Sequence, residues 1–283
     1  MALPLDEEPA GVPSRHATRS VSAKHFPHQS QQARHLVAEV PVAVVIQGTS
    51  VAVMMTSPID LEDFAVGFAF TEGFISSLDD VIDLHVLDHD RGIEVRLWLR
   101  DDKAEAFVNR RRSMIGPVGC GLCGIDSLEE AARAVPKVKA AGTGLSFDDL
   151  NTATEILRHH QPVHDETHAA HGAGFVLPGR GIVTSREDVG RHNALDKLAG
   201  ALLRTEQPVE GGAIVLTSRV SVELVQKTAI LGCPIMVAVS APTSFAVETA
   251  IEAGVTLIAH SRGDGFTVFS HPQRLQSSEE TSG

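Results

Sequence analysis

Residues 213–259 read AIVLTSRVSVELVQKTAILGCPIMVAVSAPTSFAVETAIEAGVTLIA, and this stretch decides the fold class. Three short apolar, β-branched runs, Ala213 to Thr217, Ile235 to Val239 and Val255 to Ala259, have the length and composition of buried strands. Val222 to Leu231 and Phe245 to Ala253 lie between them with helical patterning. Strands alternating with helices point to βαβ units and a parallel core in an α/β protein. Upstream, Gly172 to Leu177 and Gly181 to Thr184 flank a Pro-Gly-Arg turn, and a helix is expected around Asn193 to Leu203. Downstream, Phe266 to Phe269 is the last expected strand.

In an open α/β sheet, ligands sit beyond the carboxyl ends of the strands. Here those ends read Thr217-Ser218-Arg219, Ser240-Ala241-Pro242-Thr243-Ser244 and His260-Ser261-Arg262-Gly263-Asp264-Gly265. Small hydroxyl residues, glycine and arginine suit an anionic, phosphorylated ligand. Ordinary polar loops with helix caps at Ser221 and Thr243 account for the same composition equally well. Neither a Walker sequence nor a GxGxxG is present. Glu187-Asp188-Val189-Gly190-Arg191-His192-Asn193 is dense in ionisable groups at a strand-to-helix junction. It reads either as a helix start capped by Asn193 or as a pocket mouth carrying Arg191 and His192.

The N-terminal half has a different texture. Residues 1–33 are rich in Pro, Ser, His, Gln and charge and are expected to be a disordered arm. Residues 34–140 then form a smaller β-rich lobe. It contains a hairpin around Gln47-Gly48, an amphipathic helix from Asp60 to Ile75, and a second hairpin around Asp88 to Gly92. A helix from Asp101 to Met114 follows. Pro136 to Leu145 is a Gly/Lys/Pro linker, so residues 141–275 make the α/β core, with a helix from Phe147 to His160 and a tail at 276–283.

Late in the N-terminal lobe lies Gly116-Pro117-Val118-Gly119-Cys120-Gly121-Leu122-Cys123-Gly124, which holds two of the three cysteines in 283 residues. Four glycines and a proline make it a loop, and Gly119 and Gly121 leave the Cys120 sulfur open to close approach. Ser127 and Glu130 read as a capping box, so a helix is expected to start here, and its dipole favours a thiolate nearby. A C-x-x-C serves as half a zinc site, a dithiol redox centre or a sulfur-handling centre. Structural zinc normally needs four ligands, and no second pair exists, so no metal site is expected. Thioredoxin-like motifs sit early in a βαβ unit, whereas this one follows a β-rich lobe. Cys233 is expected to be a buried free thiol.

A net charge of −12 argues against general binding to nucleic acid or anionic membrane. No apolar run approaches the roughly 20 residues of a membrane span, no secretory leader is evident, and an odd cysteine count makes no disulfide framework. The cytoplasm is the expected compartment.

The G-C-G-L-C-G loop, T-H-A-A at 167–170, E-D-V-G-R-H-N-A-L-D-K-L at 187–198, S-R-V-S-V-E-L-V-Q-K at 218–227 and V-S-A-P-T-S-F-A-V-E at 239–248 together resemble the FdhD family, accessory proteins of formate dehydrogenase. The resemblance runs in unbroken order over roughly residues 35 to 275. It implies a cytidine-deaminase-like, three-layer α/β/α core and a sulfurtransferase that takes sulfur as a persulfide from a cysteine desulfurase. The acceptor it implies is the molybdenum (or tungsten) bis(molybdopterin guanine dinucleotide) of formate dehydrogenase, with GDP or GMP as surrogate ligands, and the assembly it implies is a homodimer. By motif, Cys120 carries the persulfide and Cys123 is the accessory thiol. The cofactor-binding segment falls on His260, Ser261, Arg262, Gly263, Asp264 and Gly265. Two positions depart from the family pattern: His260 and Phe269 stand where aromatic and tyrosine residues are common. Two other functions fit the cysteines, a cofactor-binding chaperone and a dithiol redox protein without sulfur transfer.

Overall fold

The computed structural model describes residues 15–27, 30–114, 135–139 and 144–275. The cysteine loop with Cys120 and Cys123, the helix expected from Ser127, and the tail at 276–283 lie outside the described residues.

The C-terminal core is a six-stranded sheet. In chain order its strands are β7 (His171–Leu177), β8 (Gly181–Asp188), β9 (Ala213–Leu216), β10 (Ile235–Ala238), β11 (Thr256–Arg262) and β12 (Gly265–Val268). The spatial order is β12-β11-β10-β9-β7-β8. The expected parallel core is confined to β9, β10 and β11, because β7, β8 and β12 all run antiparallel to their neighbours. The tight turn between β7 and β8 forces that hairpin to reverse, and β7 then enters the sheet beside β9 in the opposite sense. Helices cover both faces. Leu150, Ala153 and Leu157 of α3 (Phe147–Arg158) pack on Val176, Val215, Val237 and Ile258. The other face receives α5 (Arg191–Arg204), α6 (Val222–Leu231) and α7 (Ser244–Ala253), which bury Leu195, Leu198, Leu224 and Ala250 against Phe175, Ile214, Met236 and Leu257. A short helix, α4 (Pro162–Thr167), leads into β7.

The N-terminal lobe is a four-stranded sheet in the order β4-β3-β6-β5, formed by β3 (Val40–Ile46), β4 (Thr49–Thr56), β5 (Val81–His89) and β6 (Gly92–Leu99). Gln47 and Gly48 both adopt positive φ, 50° and 71°, and close the expected first hairpin. Val42, Val44, Ile46, Val95 and Leu97 form the inner face, which α1 (Leu61–Thr71) covers with Phe64, Ala65, Phe68 and Ala69, and α2 (Asp101–Met114) with Phe107.

The expectation of a disordered arm up to residue 33 requires correction. Thr18–His25 (β1) and Ser30–Val37 (β2) pair as an antiparallel ribbon that docks on α4, where His35 meets the Glu166 carboxylate. Its side chains are mostly exposed on both faces, so no apolar alternation marks these strands in the sequence.

The lobes join where α1 crosses α5. A Cβ on Gly200 would lie 1.9 Å from the Asp63 carbonyl oxygen, and one on Gly67 would lie 1.7 Å from that of Asp196. The two backbones are therefore in contact, a spacing that any other residue type obstructs. Two buried ion pairs flank the crossing. Lys197 and Asp188, both 0% exposed, meet at 2.7 Å, and Lys197 also donates to the carbonyl oxygens of Ser57 at 2.9 Å and Glu187 at 3.3 Å. Lys227 meets Asp196 at 2.9 Å and Glu72 at 2.8 Å and donates to Thr71 Oγ1 at 2.9 Å. Burial alone pulls the Lys227 ammonium down, but Asp196 and Glu72 outweigh it and hold the group above its ordinary range.

Gly200→Ala is expected to destabilise the protein by about 3 kcal/mol, the upper end for overpacking, because the obstruction is backbone of a facing helix. Gly211→Ala, where an added Cβ meets nothing within 4 Å, should stay within about 0.5 kcal/mol of the parent. Urea midpoints of the two variants decide the matter; equal midpoints would contradict the close crossing.

Candidate functional site

The carboxyl ends of β9, β10 and β11 share one edge of the core sheet, and the amino end of β7 joins them because β7 runs antiparallel to β9. Gly172 N donates to Thr217 Oγ1 at 2.9 Å, which fixes His171 beside the end of β9. The next two connections are tied together: Val220 N donates to Ala241 O at 3.2 Å and Thr243 N to Val220 O at 3.0 Å. Thr243 caps α7, accepting from Ala246 N at 3.2 Å, as one sequence reading expects. Ser221 occupies the N-cap position of α6 without a capping hydrogen bond, and its Oγ lies 3.0 Å from His192 Nε2.

The His260 to Gly265 segment is not a simple loop past a strand. His260 to Arg262 is the bulged end of β11, with His260 at φ 53°, and the chain then turns directly into β12. The bulge turns the side chains apart. Ser261 is buried, with its Oγ 3.4 Å from Thr154 Oγ1 of α3, while His260, Arg262, Gly263 and Asp264 are exposed. Gly265 is half-buried at φ 143°, and Asn151 Nδ2 of α3 donates to Gly263 O at 3.4 Å. The His260 ring sits 5.9 Å from that of Phe269, so the two positions that depart from the family pattern adjoin each other.

At the other end of the edge, the β8–α5 junction is built by buried hydrogen bonds. Asp188 Oδ2 accepts from Ser57 N at 2.9 Å, and its Oδ1 accepts from Gly190 N at 2.7 Å and from Asn193 Nδ2 at 3.0 Å. The expected Asn193 cap is corrected here. Gly190 is the N-cap, and Asn193 lies within the helix with its amide on Met55 O at 2.8 Å, linking the two lobes. Glu187 turns the opposite way and caps α4, accepting from Val163 N at 2.8 Å and His164 N at 2.9 Å. Burial raises the Glu187 carboxyl above the usual range, against the pull of those amides. His192 Nε2 lies 2.8 Å from Glu223 Oε2, and this contact, foremost among the causes, lowers the Glu223 carboxyl.

This junction places four basic side chains together: Arg191, His192, His164 and His171. Burial first, then the charges of Arg191, His164 and His192, push the His171 imidazole down, and only Asp188 opposes them. The sequence marks Arg191 and His192 at this junction, and His168 only as part of the T-H-A-A motif. His168 is the exposed, positive-φ residue that ends α4, with its ring 5.7 Å from His164. His164 and His171 were missed. His171 is marked only by the antiparallel placement of β7, which the local pattern does not specify.

Cys233 is fully buried, and burial pushes its thiol up to about 12. Among the described residues, no group of three or more His, Cys, Asp and Glu side chains converges as a metal site, and no helix is long and apolar enough to cross a membrane.

These features define an α/β protein with a basic, imidazole-rich edge where its parallel strands end. The chain belongs to the FdhD/NarQ family, whose model matches residues 37–276 and so includes both loop cysteines and the His260 to Gly265 segment. It is 49% identical over 242 residues to the sulfur carrier protein FdhD of Agrobacterium fabrum, covering 86% of this chain and 89% of the relative. Against the protein of that name from Cupriavidus necator it is 40% identical over 264 residues, 93% and 91% of the two chains. A solved structure from Desulfotalea psychrophila, described as a formate dehydrogenase accessory protein, superposes with a TM-score of 0.67 at 24% identity. That match covers 95% of this chain and 100% of the other, and supports the fold.

Two outcomes follow from the site geometry. Alkylation of the native protein at neutral pH should leave Cys233 unmodified until denaturant is added; mass spectrometry after proteolysis reads the modified positions. Glu187→Gln should destabilise the protein by about 1–3 kcal/mol, because one side-chain oxygen is replaced by a donor facing the amides of Val163 and His164. Hydrogen exchange should then quicken first at those two amides.

Proposed function

We propose that the protein is a sulfur carrier that serves formate dehydrogenase. In this reading Cys120 accepts sulfur as a persulfide from a cysteine desulfurase and delivers it to the molybdenum bis(molybdopterin guanine dinucleotide), which is a substrate, not a resident group. The reading is carried by family membership over residues 37–276, together with relatives named sulfur carrier proteins. The burial of Cys233 supports it by leaving Cys120 and Cys123 as the candidate thiolates.

The chemistry balances without a metal in the carrier. The Cys120 thiolate attacks the outer sulfur of the desulfurase persulfide, the donor's S–S bond breaks, and the donor cysteine leaves as thiolate. Attack by the Cys123 thiolate on the inner sulfur of the Cys120 persulfide then releases hydrosulfide to the acceptor and closes a Cys120–Cys123 disulfide. A cellular thiol reductant resets the pair. Cys123 lies closer to the expected helix start, where a lower pKa makes a better leaving group than nucleophile, so Cys120 is the primary acceptor. The acceptor's guanine nucleotide is assigned to the His260 to Gly265 edge, with Arg262 as phosphate donor. A cytidine-deaminase-like fold for the core, a homodimer and a cytoplasmic location complete the proposal.

Incubation with a cysteine desulfurase and cysteine should add one sulfur mass to the parent and none to Cys120→Ala. Cys123→Ala should load in part and activate a co-expressed dehydrogenase poorly. Loading of Cys120→Ala with none of Cys123→Ala reverses the assignment, and no loading of the parent overturns the reading. Arg262→Ala should weaken GDP binding by about 1.5–3 kcal/mol in calorimetry, the range for a charged hydrogen bond.

A further inference from the structure

We propose that the β1–β2 ribbon is a docking arm for an acidic, extended segment of a partner protein, which adds as a third strand beside β1. The inference is independent of the sulfur-carrier reading.

The first observation is charge. Residues 15–38 contain four Lys or Arg, four His and no Asp or Glu, in a chain whose net charge is −12. The pairing register sorts the ribbon into two faces. Arg19 lies opposite Leu36, Val21 opposite Arg34 and His25 opposite Ser30, so these six share one face. His35 belongs to the other face, and it is His35 that meets Glu166 of α4. The face of Arg19 and Arg34 therefore points away from that contact, and both arginines are exposed there beside Leu36, itself 50% exposed. Among the described residues none of Arg19, Lys24 and Arg34 meets a carboxylate. Arg34 Nη2 donates to Gln32 Oε1 at 3.0 Å, Lys24 Nζ lies 5.7 Å from the centre of the Phe26 ring, and Arg19 has no partner. Arginines elsewhere are paired, Arg15 with Asp88 and Arg186 and Arg204 with Asp63.

The second observation is an open edge. The ribbon is a sheet of two strands, and no backbone hydrogen bond reaches the outer edge of either strand among the described residues. A two-stranded ribbon is marginal on its own in water. Its unpaired N–H and C=O groups are a template to which an extended segment adds. Helix α4 lies against the ribbon chiefly through β2, so the edge of β1 is the open one.

These two observations select the chemistry of the partner. Carboxylates on alternate residues of a strand beside β1 lie next to Arg19 and His25, with Arg34 one strand beyond. Small hydroxyl residues at the intervening positions lie beside Ser20 and Ser22 on the other face. A second copy does not supply this strand from its own ribbon, because Arg19, Lys24 and Arg34 would meet their own kind. The acidity of the rest of the molecule repels a long polyanion such as nucleic acid, but costs a short acidic segment little.

The test titrates the full chain at low salt with a labelled peptide of alternating Glu and Thr, long enough to span β1. Fluorescence anisotropy reads the affinity and NMR reads the place. The peptide should bind, amide shifts should concentrate in β1, and added salt should weaken the complex. A peptide of alternating Lys and Thr should not bind. Arg19→Glu combined with Arg34→Glu should lose about tenfold or more in affinity, as expected for charged hydrogen bonds. Arg180→Glu, at an exposed arginine in the turn between β7 and β8, should bind as the parent does. Cross-strand NOEs between β1 and β2 report whether the ribbon survives the double reversal; if it does not, Arg19→Gln with Arg34→Gln decides. Absence of binding at millimolar peptide, equal affinity in the parent and the double variant, or shifts centred away from the ribbon overturns the docking arm. Tighter binding of a short DNA duplex or RNA than of the peptide overturns it in favour of nucleic acid. Self-association of the parent that the double reversal abolishes, without peptide binding, overturns it in favour of a second copy.

Discussion

The contact on which the architecture depends is the backbone approach of α1 to α5 at Gly67 and Gly200. At such a distance the two helices cannot slide or rotate without collision, so the N-terminal sheet is locked in orientation against the core sheet. A close crossing also squeezes out water, and the charged groups beside it must then find protein partners. Lys197 and Lys227 do so completely, one with Asp188 and the Ser57 carbonyl, the other with Asp196, Glu72 and Thr71. Both lysines lie in the core, whereas Ser57, Thr71 and Glu72 come from the N-terminal lobe. The pairs therefore specify which lobe surface meets which, a demand that apolar side chains of similar volume would not make.

That constraint reaches the sheet edge directly. Asp188 ends β8 and answers to both Ser57 and Lys197, and Asn193 is held by the Met55 carbonyl. The turn from β8 into α5 is thus shaped by the N-terminal lobe, although every basic side chain it presents belongs to the core. A change in the seating of the lobes would move Arg191 and His192 relative to the ends of β9 and β10. The lobe that precedes the cysteine loop is in this way mechanically part of the edge at which a nucleotide is proposed to bind.

The readable parts of the fold were those whose neighbours in space are neighbours in sequence. The apolar runs of β9, β10 and β11, the positive-φ pair Gln47 and Gly48, and the amphipathic face of α1 each carry their reason within a few residues. The β1–β2 ribbon was not readable, because a two-stranded ribbon with both faces wet leaves no periodic trace. Asn193 misled for a different reason. A short amide side chain before an apolar helix has the local chemistry of a cap, but here the helix already begins at Arg191, and the Asn193 Nδ2 donates instead to the carbonyl of residue 55. His171 and His164 were hidden because their partners in the cluster come from α4, β7 and α5, an assembly that only the antiparallel entry of β7 creates.

The poor start of α5 is tolerated because of what the rest of the helix does. From Asn193 to Leu202 every residue is buried, so packing on both lobes supplies the helix with far more stabilisation than a cap or a first-turn carboxylate would. A surface helix with Arg and His at its amino end would fray; this one is held by the Gly200 crossing, the apolar face on Phe175 and Ile214, and the Lys197 and Asp196 ion pairs. Rigid burial beyond the first turn thus allows that turn to go without a side-chain cap or a carboxylate.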